Sequence, residues 1–396
     1  MIEQAVPERE MADLAPSAVG TGDRPASAGP DWVIYASGIA WGGNRNRQHE
    51  LAVELARTRR VLFLEPPGLR SSLSLHVEAL DRNLWRATQP ALLPLGRFVP
   101  PANGLNRIHT ARKLRTWLDL RPGQRLLWID EDIAAPLVGR LDEAAVIYDA
   151  ADLDWTFTRR WNRRHLRWGH RRAARAADLV LASSAPLADL LRAEGLRPVE
   201  ILNGCDPDHL CPDARPHTPV HERAQPVLGY VGVIGERAFD TALLASVARA
   251  HPQWSFILAG KASPRARDVL SVLPNVHLHG TVSYDALPKL IGGFDVGLIP
   301  YRSQGLVDYV FPKKLYEYMA MGKPVVATPL PALAGVEGVH RASTADDFAV
   351  AVEAALAEAG SPGFEARQRA AACANSWQRR GDRVRALVDG MERRSP

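Results

Sequence analysis

Two lysines and a glutamate fall within five residues of one another in the segment FPKKLYEYMAMGKPVVATP, residues 311–329: Lys313, Lys314 and Glu317. The spacing predicts a helix from Pro312 to about Met321, stopped by Gly322, with Pro324-Val325-Val326-Ala327 opening a strand. The free amides near Phe311 and Lys313, with Lys314 beside them, form a place for an anion. Glu317, one turn in, is a carboxylate able to accept hydrogen bonds from two vicinal hydroxyls, as on a ribose. At i, i+4 the same residues also suit a surface Lys313–Glu317 ion pair worth a few tenths of a kcal/mol.

Further cations and glycines stand at the ends of apolar runs. Arg237 follows GYVGVIG (229–235), and its planar fork matches phosphate oxygens. Lys261 follows WSFILAG (254–260). Gly42 and Gly43 in SGIAWGGNRNRQ (37–48) offer a loop that cradles a phosphate or lets a sugar approach. Their spacing is not the G-x-G-x-x-G of a nicotinamide dinucleotide site.

The elements that must carry these residues alternate. WVIYAS (32–37), RVLFLEP (60–66), RLLWID (125–130), AAVIYDA (144–150), DLVLASS (178–184) and VEIL (199–202) are continuous apolar runs separated by helical stretches such as RQHELAVELARTR (47–59). Repeated strand–helix–strand is the pattern of a parallel α/β sheet covered on both faces. The proline-rich stretch 211–226 interrupts it as a linker. The pattern restarts with VLGYVGVIG (227–235), WSFILAG (254–260), NVHLHG (275–280), DVGLIPY (295–301) and PVVATP (324–329). The expected organisation is a leader at 1–30, a Rossmann-like domain at 31–210, a linker at 211–226, a second Rossmann-like domain at 227–375, and a helix and tail at 376–396. Two such domains enclose a cleft, with ligands at the carboxyl ends of the strands.

With 396 residues, 46% hydrophobic and 23% charged, the composition is that of a soluble globular protein. Residues 1–30 have neither the basic start nor the apolar stretch of a secretory signal, so they are expected to be a disordered leader. Cys205, Cys211 and Cys373 show no metal-ligand pattern, which points to a reduced, cytoplasmic protein with no metal. The net charge of +5 fits a partner carrying phosphates.

The chain resembles the retaining family 4 type of glycosyltransferase, with the GT-B architecture, and its start is similar to the teichuronic-acid-type subgroup. The resemblance rests on KLYEYMAMGKPVVAT (314–328), NVHLHGTVSYDALPKLIGGFDVGLIP (275–300), ADLVLASSAPLADLL (177–191), ILNGCDPDHL (201–210) and SWQRRGDRVRALV (376–388), and spans about residues 31–388. It implies transfer of a sugar from a nucleoside-diphosphate sugar to a hydroxyl of a small-molecule, lipid-linked or polysaccharide acceptor. It also implies retention of configuration and no cofactor. Glu317 takes the ribose position, and Thr281 and Val282 match the backbone that holds the base. Tyr309 stands where the family has a second glutamate, and Phe311 begins the helix that faces the diphosphate. Arg237 matches the family's arginine, whose usual lysine partner is replaced by Ala242, leaving Lys261 or Lys314 to supply the charge. No histidine matches the family's N-terminal one. IYDAADLDWTF (147–157) offers Asp149, Asp152 and Asp154 near that place, Asp152 being the candidate for the acceptor and Asp149 also suiting a helix cap. Asp152-Leu153-Asp154 has the spacing of a metal motif but lies in the other half from the donor. A sugar-nucleotide epimerase and a non-catalytic activator subunit are the alternatives.

Residues 159–175, RRWNRRHLRWGHRRAAR, hold eight arginines and no acid. Trp161 and Trp168 share a helical face, and Leu166 and Ala173 lie on another. Such a helix suits peripheral contact with an anionic membrane, or packs its Ala/Leu stripe on the sheet with the arginines solvated. No nucleic-acid motif accompanies the charge.

Overall fold

The computed structural model describes residues 29–42, 45–68, 71–153, 160–210, 226–235, 237–302 and 305–391. Most of the expected leader, Gly43, Asp154, all but the last residue of the linker, and Glu236 lie outside them.

The first domain is built on an eight-stranded sheet. Its strands are β1 (Trp32–Ala36), β2 (Arg60–Leu64), β3 (His76–Asp81), β4 (Leu84–Thr88), β5 (Arg125–Ile129), β6 (Ala145–Ala150), β7 (Leu179–Ala182) and β8 (Pro198–Glu200). They lie in the order β3-β4-β2-β1-β5-β6-β7-β8, parallel except for the β3–β4 pair. The strands are continuous apolar runs because both faces are covered. Trp32, Ile34 and Ala36 pack into one core, Val33 and Tyr35 into the other. On the second face the Tyr35 ring stacks on Phe63 and Trp128 at 5.6 and 5.1 Å. The covering helices are α1 (Arg47–Ala56), α2 (Pro100–Asp119), α3 (Arg160–Ala176) and α4 (Ala185–Ala193). The β3–β4 hairpin at the edge was not among the expected strands.

The second domain has a six-stranded, all-parallel sheet of β9 (Val227–Val231), β10 (Ser255–Ala259), β11 (Val276–Gly280), β12 (Val296–Ile299), β13 (Val325–Ala327) and β14 (Val339–Arg341). Its order, β11-β10-β9-β12-β13-β14, is that of a doubly wound dinucleotide-type sheet, with the switch of direction between β9 and β12. Gly229 and Gly297 face each other there, and each leaves a slot for a ring. A Cβ on Gly229 would meet Phe294 at 2.1 Å, and one on Gly297 would meet Tyr318 at 2.4 Å. Around this sheet lie α5 (Thr241–Ala250), α6 (Pro264–Leu270), α7 (Leu287–Gly292), α8 (Lys314–Ala320), α9 (Ala345–Ala359) and α10 (Phe364–Ala374).

The last helix, α11 (Trp377–Asp389), lies on the first domain. Trp377, Val384 and Val388 enter its core, and Arg385 donates to the Glu54 carbonyl at 2.6 Å and carboxylate at 2.9 Å. Cys205 and Leu210 pack into the second domain's core, so the first core ends earlier than residue 210. The two domains therefore exchange chain on both sides of the cleft.

Candidate functional site

Two cavities lie in the cleft, each at the carboxyl ends of strands of one sheet. The first, of 460 Å³, is floored by the ends of β9, β10 and β11. Its lining includes Gly232, Gly260, Lys261, Thr281, Val282, Lys314 and Glu317 from the second domain, and Arg45 and Asn46 from the first. The strand ends are stitched together through glycine: the Gly232 N–H donates to Ala259 at 2.8 Å and the Gly260 N–H to Gly280 at 2.6 Å. Gly260 has φ +145°, and a Cβ there would stand 1.9 Å from the Gly232 carbonyl oxygen, so only glycine lets these backbones meet.

Lys314, the first residue of α8, is only 6% exposed. Its ammonium sits 5.1 Å from the Tyr230 ring centroid and 4.7 Å from that of Tyr301, and donates a hydrogen bond to the Tyr301 hydroxyl. Burial, reinforced by the neighbouring Tyr301, drives the Tyr230 phenol well above its ordinary range, so the ring under the cation is neutral. Among the described residues no carboxylate pairs with Lys314. A buried cation is costly unless an opposite charge reaches it, and this one faces an open cavity. Lys261 adds an exposed cation on the rim.

Glu317, 5% exposed, lines the same cavity and receives Lys313 at 3.3 Å. The i, i+4 pair considered from spacing thus exists, but its carboxylate is buried and turned to the cavity. Lys313 also donates to the Arg45 carbonyl at 2.6 Å, latching α8 to the β1–α1 loop. Arg45 in turn lies 5.6 Å over the Tyr284 ring and 3.6 Å from Glu50. Burial pushes the Glu50 carboxyl up to about 7, against the pull of Arg45.

The second cavity, of 330 Å³, lies at the ends of β1, β5 and β6. Gly38, Arg97, Asp130, Glu131, Asp152 and Asn162 are among its lining. Asp130 accepts from the Gly38 N–H at 2.6 Å and holds the β1 loop in place. Glu131 is bound through Oε1 by the buried Arg107, while Oε2 has no hydrogen-bond partner and lies 3.6 Å from Arg97. Arg237 reaches this cavity from the second domain. Each cavity is thus completed by a residue of the other domain.

The structure therefore divides the expected site. Lys261, Thr281, Val282, Lys314 and Glu317 come together in the first cavity. Arg237 and Asp152 meet in the second, because the turn after β9 carries Arg237 across toward the first domain. Three residues expected at the donor, Gly42, Tyr309 and Phe311, stand outside that cavity. Tyr309 ends a 3-10 turn, Gly305–Tyr309, packs its ring on the first domain's core and accepts from Ser184 Oγ at 2.6 Å. Phe311 buries its ring beside Tyr316 in the second core, and its carbonyl accepts from Asn203 at 2.7 Å. Both brace the domains against each other. Gly42 is exposed, and a Cβ there would meet nothing within 4 Å. Asp149 is neither cap nor acceptor residue: Arg47 grips both its oxygens, at 2.8 and 3.0 Å, in the interior. No histidine lines either cavity among the described residues. Arg45, Tyr284, Arg97 and Glu131 were not singled out from sequence; the run Asp130-Glu131-Asp132 at a strand's carboxyl end was a signal for the last.

Residues 225–358 match the family model of glycosyl transferases group 1. The match lies in the second domain, from β9 into α9. The chain is 32% identical over 164 residues to TuaH of Bacillus subtilis (strain 168), named as a teichuronic acid biosynthesis glycosyltransferase. That alignment covers 38% of this chain and 40% of TuaH. The fold is the GT-B arrangement of several solved structures. Sucrose-phosphate synthase from Thermosynechococcus elongatus superposes with a TM-score of 0.70 at 15% identity, over 90% of this chain and 97% of its own. A trehalose-6-phosphate protein from E. coli bound with UDP-2-fluoro glucose gives 0.68 at 13%, over 92% and 100%. Anabaena HepE in complex with UDP and glucose gives 0.65 at 16%, over 91% and 100%. The matched segment is the part of the chain that holds Lys261, Lys314 and Glu317.

Proposed function

We propose that the chain is a glycosyltransferase that moves a sugar from a nucleoside-diphosphate sugar to an acceptor hydroxyl, without a metal and with retention of configuration. The observation that carries this reading is Lys314, a buried cation with no carboxylate partner among the described residues, aimed into a cavity that also holds Glu317. A diphosphate supplies the missing charge, and a ribose supplies the hydroxyls for Glu317. Thr281 and Val282 hold the base through their backbone. UDP in the E. coli and Anabaena proteins of the same fold supports a nucleotide in this position.

In the reaction the bond from the anomeric carbon to the β-phosphate oxygen breaks and a bond to the acceptor oxygen forms. Charge grows on the departing phosphate, where Lys314 and Lys261 stabilise it and Arg237 meets it from the acceptor side. The acceptor proton passes to that phosphate, so no separate general base is needed. The acceptor, a small molecule, lipid-linked saccharide or polysaccharide, occupies the 330 Å³ cavity beside Asp152 and Glu131. The enzyme works in the cytoplasm, and the arginine-rich α3 suits peripheral contact with the membrane.

Calorimetric titration of nucleoside diphosphates and their sugars into wild type and Glu317→Ala tests this, followed by product analysis with and without acceptor. Binding that the variant loses, with acceptor-dependent release of nucleoside diphosphate, supports transfer. Sugar isomerised without acceptor makes the chain an epimerase. No binding of any nucleotide refutes the donor site.

A further inference from the structure

After β4 and into the start of α2 the chain runs ALLPLGRFVPPANGL, residues 91–105, and turns its large side chains outward. Leu92, Leu93, Leu95, Phe98, Val99 and Leu105 are 39–51% exposed. An apolar patch of this kind on a folded surface marks a contact site. The segment is held in this posture from beneath. Asn106 of α2 accepts from the Leu93 N–H at 2.9 Å and donates to its carbonyl at 2.8 Å, and Thr110 donates to Pro90 at 3.2 Å. Leu95 stands at φ +55°, a left-handed conformation that disfavours leucine and would suit glycine or asparagine. An exposed leucine thus stands where the backbone disfavours it. From Arg82 to Leu118 the chain contains no Asp or Glu.

Helix α3 lies on the other side of the same opening. Arg163, Arg164, Arg167, Arg171, Arg172 and Arg175 are exposed, and among the described residues none pairs with a carboxylate. Trp168 is 50% exposed beside them, with Arg172 at 5.8 Å from its ring. Both features reach the acceptor cavity: Arg97 and Phe98 line it from the loop, Asn162 and Leu166 from α3.

We propose that this face of the first domain docks on an anionic lipid bilayer, with the Leu-rich loop in the headgroup region and the arginines of α3 against the anionic headgroups. Unpaired positive charge beside a fixed apolar edge is complementary to that surface and to no neutral one. The 330 Å³ cavity then opens toward an acceptor anchored in the bilayer. This last consequence rests on the reading of that cavity as the acceptor site; the docking itself does not.

The test is co-sedimentation of the full chain with phosphatidylcholine vesicles, with and without phosphatidylglycerol, at low and high salt. The expected result is binding to the anionic vesicles that salt weakens. Each arginine near such a surface contributes roughly fivefold, so Arg163→Glu/Arg167→Glu/Arg171→Glu lowers binding by roughly a hundredfold or more. Leu92→Ser/Leu95→Asn lowers it roughly tenfold, while the second substitution relieves the strained backbone and leaves the fold intact. Failure of the wild type to bind anionic vesicles overturns the proposal, as does binding that either variant leaves unchanged. Nucleotide titration of the same variants shows that they are folded. If wild-type chain binds vesicles but no nucleotide, the transfer reading fails and the docking stands.

Discussion

Replacing Lys314 by methionine separates a ligand-binding lysine from a structural one. Without ligand, the substitution removes two cation–π contacts and a charged hydrogen bond to Tyr301. Those are worth roughly 0.5–2 and 1.5–3 kcal/mol respectively. It also removes the desolvation of an ammonium that is 6% exposed, a cost of several kcal/mol. The two nearly cancel, and methionine fills similar space, so unfolding free energy should stay within about 1 kcal/mol of wild type. Binding of a nucleoside diphosphate is different, since only the wild type offers the charge. Loss of one charged hydrogen bond of about 1.5–3 kcal/mol raises the Kd roughly 10- to 150-fold. Denaturant titration with and without ligand reads both effects. At 100 times the wild-type Kd, ligand adds about 2.7 kcal/mol to the wild type. With a Kd about 30-fold weaker it adds only about 0.9 kcal/mol to the variant. A variant that loses several kcal/mol without ligand yet keeps its affinity would make Lys314 a structural tether and remove the main support for the donor site.

Three other substitutions probe different links. Glu317→Gln should weaken nucleoside diphosphates by about 1.5–3 kcal/mol and leave inorganic pyrophosphate unaffected; equal losses for both ligands would show that Glu317 does not meet the ribose. Glu50, raised to about 7 by burial, contributes stability that is fully present below its unfolded value and lost as pH rises through 7. Glu50→Gln should therefore gain on the wild type between pH 5 and 8, by about 3 kcal/mol at most, and parallel unfolding curves at the two pH values would refute this. Gly229→Ala puts a methyl group into the Phe294 ring in mid-sheet and should cost about 1–3 kcal/mol by thermal or denaturant unfolding; a neutral result would mean that the ring slot is not closely packed.

The sheets were legible because their strands are buried on both faces, which turns each into an unbroken apolar run such as WVIYA or SFILA. The β3–β4 hairpin was not, since most of its residues are partly or fully exposed and carry no such run. β14 is only three residues long and half-buried. In the site, the residues that converge as expected all follow the carboxyl ends of parallel strands or open α8, where topology alone brings them together. Tyr309 and Phe311 diverge because their roles depend on Ser184 and Asn203, distant in sequence and supplied by the other domain. Arg45 and Glu131 escaped for the same reason: one gains its meaning from Tyr284, the other from Arg107.

The charges of the two cavities are complementary in kind. The first cavity concentrates cations, Lys261, Lys313, Lys314 and Arg45, around Glu317, the single carboxylate among its described lining residues. The second cavity is lined by Asp130, Glu131 and Asp152, and its second-domain residue is Arg237. On the transfer proposed above, a departing diphosphate is held on the cationic side, while acceptor hydroxyls meet carboxylates on the other. The contacts that set the spacing are the Ser184–Tyr309, Asn203–Phe311 and Lys313–Arg45 hydrogen bonds, all of which join the domains next to the reacting centre. All three end on residues 309–313, which lead into α8, so a shift between the domains moves Lys314 and Glu317 together with the rim of the second cavity. In the proposed reaction, control of the geometry therefore lies in these bonds as much as in the side chains that would touch substrate.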